Sequence, residues 1–477
     1  MGGGEIQLKY IGKEGQLFIG NPQISFFKSI FKQYGNFSKE LINVNFESDV
    51  KFGKLTYCNL LGHGDLINNM YLNFVINYNV DKFDLTIIDG VFSSITESVF
   101  NEYNSQGISN IFLYNWNYVL KNTNISDLVI KENSSSSSGN LYNSVTNTIL
   151  LDNVTSTRLY YSFTQSSVDY VGYIYIRELK EDMTKIIKKT NIRIDEYVIE
   201  EHNTDWLLMY NNLFNTDDNK NYINEELKYL TPKHFNKDIR FYIPLRFWFT
   251  KDTTSSLPIG ALHKSDVNIT MEFNSIEDIF LSHKIYTKAE ISSGTLSIDY
   301  INLDVAEKLY FLNNKLNLLV EQVQYYDHII TNNMSNTIKL QFNGLSKMIL
   351  WKLPYKYILN KAQILLNNNP LCNLIEGEYF HLIQRLEYNL GSTTNIYRME
   401  DNTNKAGTYY MYSFSLHPTS VQPSGLCNFS RIDEKILIVE PEYIVNTINT
   451  NTKIPIELFN ITYNFLVINN GKCKLQF

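Results

Sequence analysis

The chain has 477 residues, with 42 Lys and Arg against 49 Asp and Glu, for a formal net charge of −7. That length allows a sizeable core and two to four ordinary domains, and the acidic balance argues against a dedicated duplex-DNA or polybasic membrane binder, since both need clustered positive charge. Four cysteines, at 58, 372, 427 and 473, are too scattered for a disulfide scaffold and form no C-x-x-C pair, so reduced thiols are expected and a structural zinc is not.

The start, Met1 to Ile6, lacks a basic n-region and an apolar h-region, so no secretory signal is expected. Ile6 also stands where a myristoylation site wants Ser or Thr. No run of about 18 apolar residues occurs, so no spanning helix is expected and folding in the cytoplasm is. Residues 25–34 (SFFKSIFKQY) space Phe26, Phe27, Ile30, Phe31 and Tyr34 as one helical face opposite Lys28 and Lys32. This reads as a short amphipathic helix on its own core rather than on a membrane surface. LGHGDLI at 61–67 reads as a turn between strands, with Gly62 and Gly64 supplying unusual dihedrals.

Residues 100–160 are rich in Asn, Ser and Thr, and 131–140 (KENSSSSSGN) contain no apolar residue. Such a tract cannot repay its ordering entropy, so a long exposed excursion is expected there. A helical stretch is expected over about 204–230, around Trp206, Leu207, Tyr210 and Leu213. VNITMEF at 267–273 alternates strictly, as do IKLQF at 338–342 and YMYSFSL at 410–416; period two with one polar face means antiparallel sheets. Asp304 with Glu307 resembles a capping pair opening a helix that carries Val305, Leu309 and Leu312 on one face. FLVI at 465–468 and CKLQF at 473–477 flank Asn470-Gly471, a strong hairpin signal. Aromatics at 14% and few Ala agree with β structure.

Catalytic constellations are not found. No P-loop, dinucleotide fingerprint, nucleophile elbow, H-E-x-x-H or EF-hand loop occurs. His63 beside Asp65 could make a catalytic pair, but the turn accounts for it better. Glu200 and Glu201, or Glu376 and Glu378, could serve a glycosidase, yet surface solvation explains them more simply. Lys185, Lys188 and Lys189 lack interleaved aromatics and read as a solvated strand end. Among the glycosylation sequons, Asn124, Asn133 and Asn153 fall in the expected exposed loop and are the candidates there. No cofactor and no metal site is expected.

Four stretches carry a family resemblance. They are GGGEIQLKYIGKEGQLFIGNPQISFFKSIFKQYGNFSKE at the start, LGHGDLI at 61–67, IPLRFWFTKDTTSSLPIGALHKSDVNITMEF at 243–273 and YMYSFSLHPTSVQPSGLCNFSRID at 410–433; the end, NITYNFLVINNG, adds to them. In this order they resemble the double jelly-roll major capsid proteins of the nucleocytoplasmic large DNA viruses, large icosahedral viruses of eukaryotes. His63 and the long 80–235 region depart from the family pattern.

The resemblance implies an all-β fold: two consecutive eight-stranded jelly-roll sandwiches with short helices and long loop insertions. It places an N-terminal arm at 1–19, a first jelly roll at 20–302 with an insertion at about 80–235, a linker helix at 303–316 and a second jelly roll at 317–477. It implies a homotrimer with a pseudo-hexagonal outline that tiles capsid facets, next to neighbouring capsomers, minor capsid and penton proteins and, indirectly, an inner membrane. Direct nucleic-acid binding is not implied. The implied place is the virion capsid, assembled in the host cytoplasm. Asn21, Pro22, Trp248, Pro258, Pro423, Gly425, Asn428 and Arg431 are the implied fold and assembly residues, with Pro and Gly fixing corners and Asn428 and Arg431 satisfying backbone groups. Alternatives are a minor capsid paralogue, a membrane-shaping assembly scaffold, or a carbohydrate-binding or carbohydrate-active sandwich.

Overall fold

The computed structural model describes residues 2–9, 12–19, 21–27, 29, 31–82, 129–131, 142–143, 148–149, 158–165, 168–175, 181–214, 229–230, 238–279, 286–332, 334–354, 357–388, 390, 407–443 and 452–477. Asn124, Asn133 and Asn153 and the 132–140 tract lie outside them.

Met1–Phe37 forms a unit of its own. It holds α1 (Gly3–Lys9) and α2 (Gly12–Ile19). The helix expected over 25–34 does not form: the described residues there are turn or irregular, and Phe26, Phe27, Phe31 and Tyr34 are exposed. Ten residues rich in aromatics nucleate a helix poorly without a packing partner.

The remainder, Ser38–Phe477, begins with eight principal strands: β1 (Phe37–Asn45), β2 (Leu55–Asn59), β3 (Leu66–Lys82), β4 (Ile187–Ile194), β5 (Tyr197–Asn203), β6 (Asp238–Pro244), β7 (Val267–Phe273) and β8 (Tyr286–Leu303). They form two sheets, in the orders β1-β8-β3-β6 and β5-β4-β7-β2. Alternation drives their packing. Val267, Ile269, Met271 and Phe273 are buried, while Asn268, Thr270 and Glu272 are half-buried on the other face. Opposite them, Leu72 and Phe74 of β3 pair with Ile243 and Phe241 of β6 to line the same core.

Eight further strands repeat the plan: β9 (Leu316–Thr331), β10 (Asn336–Lys339), β11 (Leu345–Leu353), β12 (Tyr357–Leu366), β13 (Asn369–Pro370), β14 (Thr408–Ser413), β15 (Lys435–Tyr443) and β16 (Lys453–Asn469). Their orders are β9-β16-β11-β14 and β10-β15-β12-β13. In both sets the first sheet is first-eighth-third-sixth and the second joins second, seventh, fourth and fifth. This shared order is the jelly-roll topology, and it occurs twice. Asn470 and Gly471 both have positive φ (51° and 84°), as a two-residue hairpin turn needs, and Lys472–Leu475 folds back on β16.

Two helices follow strands of the first sandwich. α3 (Thr204–Leu213) follows β5 directly, its N-terminus capped by Asn203, whose side chain accepts from Trp206 N at 2.8 Å. It is shorter than the 204–230 stretch expected; residues 215–228 are not described. α4 (Val305–Asn313) lies between β8 and β9, capped by Asp304 at 2.8 Å. Its apolar residues Val305 and Leu309 are exposed rather than packed in the core.

Candidate functional site: the seam and the motif loops

The outward face of the β9-β16-β11-β14 sheet carries an apolar row. In register across its four strands lie Tyr325, Phe459, Leu350 and Met411. Phe459, Leu350 and Met411 are buried in one cluster with the first sandwich's core, whereas Leu458, Trp351 and Tyr410 point the other way into the second core. β11 thus has apolar contacts on both faces, which explains its unbroken Met348-Ile349-Leu350-Trp351 run. Each such side chain taken from water contributes about 1.5–3 kcal/mol.

The first sandwich meets this face with α3, β5 and the β6–β7 connection. The Trp206 ring lies 5.9 Å from Phe459. Gln322 Nε2 donates to Ile199 O at 2.5 Å, and Lys264 N to Gly471 O at 3.1 Å. Lys352 Nζ reaches Asp205 Oδ1 of α3 at 2.6 Å and Glu457 Oε1 at 2.9 Å. Burial alone would lower the Lys352 ammonium, but Asp205 and Glu457 outweigh it and hold it above the ordinary lysine range.

Further along the same sheet sits a buried triad. Glu321 of β9 takes Lys347 Nζ of β11 at 2.6 Å and also pairs with Lys251 of the β6–β7 connection. Burial pushes the Glu321 carboxyl up, yet the two ammoniums prevail and keep it below its usual value. Lys347 also donates to Ser420 O at 3.1 Å, in the β14–β15 connection. One motif-bearing loop thus reaches Glu321 directly through Lys251, and the other reaches it through Lys347.

Glu200 differs from its expected solvated state. It is buried, bonds His202 Nε2 at 2.8 Å and accepts from Trp248 N at 2.8 Å, because its strand turns that face toward the second sandwich. Glu201 pairs with Lys189 at 2.8 Å and Glu272 with Lys188 at 2.6 Å, as a solvated strand end requires. Asp65 accepts from Leu303 N at 3.0 Å and binds Lys308 at 2.7 Å, while the His63 ring lies on Tyr300, so the two make a turn and not a catalytic pair.

Of the residues singled out in the sequence, Asn21 (φ 55°) and Pro22 are exposed in the N-terminal unit. Trp248 and Pro258 are buried in the β6–β7 connection. Pro423, Gly425, Asn428 and Arg431 share the β14–β15 connection. Gly425 has φ 146°, and a Cβ there would sit 2.6 Å from Phe414 O. Asn428 Oδ1 accepts from Ser430 N at 3.1 Å; Arg431 is exposed and bonds no backbone group among the described residues. Sequence reading missed Lys251, Glu321, Lys347 and Lys352. The available signal was a charge inside an apolar strand, as in SKMILWKL and LLVEQV. Among the described residues, no group of three or more His, Cys, Asp or Glu could hold a metal ion.

Comparison with known proteins now decides the family. The model of the major capsid protein N-terminus matches residues 25–85 and 119–313, and that of the large eukaryotic DNA virus major capsid protein matches 356–473. The chain belongs to this family. The major capsid protein of Pyramimonas orientalis virus is 26% identical over all of both chains, and that of Paramecium bursaria Chlorella virus 1 is 23% identical, again over all of both. A chain of the PBCV-1 virus capsid shares the fold at a TM-score of 0.65 and 19% identity, covering 95% of this chain and 100% of its own. This is thus a double jelly-roll major capsid protein, a structural component that assembles with other capsid subunits in the icosahedral virion capsid.

Proposed function

We propose that three copies close into one capsomer with a pseudo-hexagonal outline that tiles the facets. The observation carrying this reading is the repeated strand order in two sandwiches fused along a buried seam. Two like units per chain give six per trimer, and a ring of three with a head-to-tail contact closes. Each sandwich with the helix between them (303–316) would act as one rigid block. Trp248, Pro258, Pro423, Gly425, Asn428 and Arg431 would shape the loops at the seam, and Asn21 and Pro22 the arm. Neighbouring capsomers, penton and minor capsid proteins, and through these an inner membrane, would be the partners, with assembly in the host cytoplasm. Asn124, Asn133 and Asn153 would be glycan acceptors.

Mass photometry of the purified protein tests this. A chain of 55.6 kDa gives a trimer of three times that mass, about 167 kDa, with a hexagonal face by negative stain. A folded monomer at all concentrations would overturn the reading.

A further inference from the structure

We propose that Arg246, with the hydroxyls of Tyr71 and Tyr210, forms a binding site for a small tetrahedral oxyanion of the phosphate class. The inference does not depend on the capsomer reading.

Local structure brings the three side chains together. β6 ends at Pro244, which pairs with Tyr71 of β3, and Leu245 N donates to Met70 O at 2.9 Å. Arg246 therefore leaves the sheet beside Tyr71, close enough for each to bias the other's ionisation. From there it reaches α3, where its guanidinium carbon stands 5.6 Å from the centroid of the Tyr210 ring.

Among the described residues Arg246 has no counter-charge. The side chain is half-buried, and its Nε is fully buried with no hydrogen-bond partner. The carboxylates around it are committed elsewhere. Glu321 holds Lys251 and Lys347, while Asp205 and Glu457 hold Lys352. Glu200 takes His202 and Trp248 N, and Asp299, on the Tyr71 side, accepts from Asn69 Nδ2 at 3.1 Å. Burial accordingly pulls the guanidinium below its ordinary value, against an opposing effect of Tyr210 and Tyr71 alone. Withdrawing a cation from water without an acceptor is costly, so folded chains pair such groups. The Tyr210 ring covers a face of the guanidinium but gives nothing to its N–H groups, which lie in the guanidinium plane.

The class of ligand follows from the donors. Around Tyr210 the structure is rich in donors and poor in free acceptors. Trp206 Nε1 is buried without an acceptor, and its ring lies 5.9 Å from Tyr210. The Tyr71 and Tyr210 hydroxyls make no hydrogen bond among the described residues. Lys251 Nζ, 5.9 Å from the same Tyr210 ring, adds positive field. An anion only accepts, so it suits all of these at once. The arginine fork offers two parallel N–H groups to two oxygens. Two hydroxyls from separate elements call for further oxygens, which a tetrahedral anion has and a carboxylate does not.

The test titrates inorganic phosphate into the full-length protein by isothermal calorimetry, at ionic strength held constant with sodium chloride. One phosphate should bind per chain, and Arg246→Met should weaken binding about tenfold or more. Thermal melting supplies a second readout. In chloride alone Arg246→Met should melt at or above wild type, because an unpaired buried charge is gone. In phosphate the wild type should gain stability and the variant should not. An arginine with a merely structural role would give the same difference in both buffers, which would overturn the site. A parallel titration with AMP separates the two sources of this chemistry: the tighter of the two ligands shows whether the site takes the free ion or a phosphomonoester. No saturable binding to wild type, as when a neighbouring copy already supplies the counter-charge, overturns the proposal, as does equal phosphate binding by Arg246→Met. Acetate binding more tightly than phosphate overturns the tetrahedral class. Should Arg246→Met fail to fold, Tyr71→Phe with Tyr210→Phe, which keeps both rings, is read the same way.

Discussion

Replacing Glu321 with Gln leaves Lys251 and Lys347 inside the seam with no counter-charge. Each ammonium now gains about 4 kcal/mol from the carboxylate at an effective dielectric near 20 and roughly 4 Å between charge centres. Removing one member of a buried pair typically costs about 3–5 kcal/mol, and here two cations lose the carboxylate they share at once. Glu321→Gln should therefore cost at least about 4 kcal/mol. Lys347→Met is the informative contrast. It leaves Glu321 paired with Lys251, removes the repulsion between the two lysines, and keeps a side chain of similar length over Tyr463. Its cost should be about 1–2 kcal/mol. Urea unfolding followed by tryptophan fluorescence reads both. With a slope of about 3 kcal/mol per M or more for a chain this long, Glu321→Gln should lower the midpoint by about 1 M and Lys347→Met by less than half of that. Equal shifts, or a Glu321→Gln loss under about 1 kcal/mol, would refute the view that the carboxylate is the hub.

Other outcomes follow from the same geometry. Gly425→Val puts a side chain against Phe414 O in a conformation L-residues rarely adopt, so soluble yield should fall, with a cost of about 2 kcal/mol or more; normal yield and an unchanged melting temperature would count against it. His381 is held neutral, its pKa pushed down to about 4 by burial against a usual 6.5. A depressed folded value means the unfolded chain binds the proton first, so stability present above pH 6.5 should drain by about 3 kcal/mol as pH falls toward 4. His381→Gln should flatten that part of the pH–stability curve, and an unchanged slope would place the titration elsewhere. Asn203→Ala should remove the α3 cap and cost about 1 kcal/mol by thermal melting, with Asn203→Asp retaining most of it. Phe459→Ala, which opens the seam under Trp206, should cost about 3–5 kcal/mol and is checked against Ile329→Ala, an exposed site that should be near neutral.

Where residues act through their neighbours in sequence, the chain alone was enough. The alternation of VNITMEF fixed β7 to the residue, Asn470-Gly471 fixed the last hairpin, and Asp304 fixed the start of α4. Motif order was enough for the family and hence for two jelly rolls. Period two, a turn dipeptide and a cap are local signals, each decided within a few residues by backbone sterics and hydrogen bonding.

What depends on distant surfaces meeting was not legible. SFFKSIFKQY has a helical pattern and no helix, because pattern without a partner does not overcome nucleation. Glu200 reads as a solvated carboxylate and is buried under Trp248, which lies 48 residues on. Lys251, Glu321 and Lys347 are separated by 70 and 26 residues and become one site only when two sandwiches close on each other. Whether a charge in a strand faces water or another sheet is set by which face the neighbouring domain covers, and period two marks the two faces without saying which will be covered.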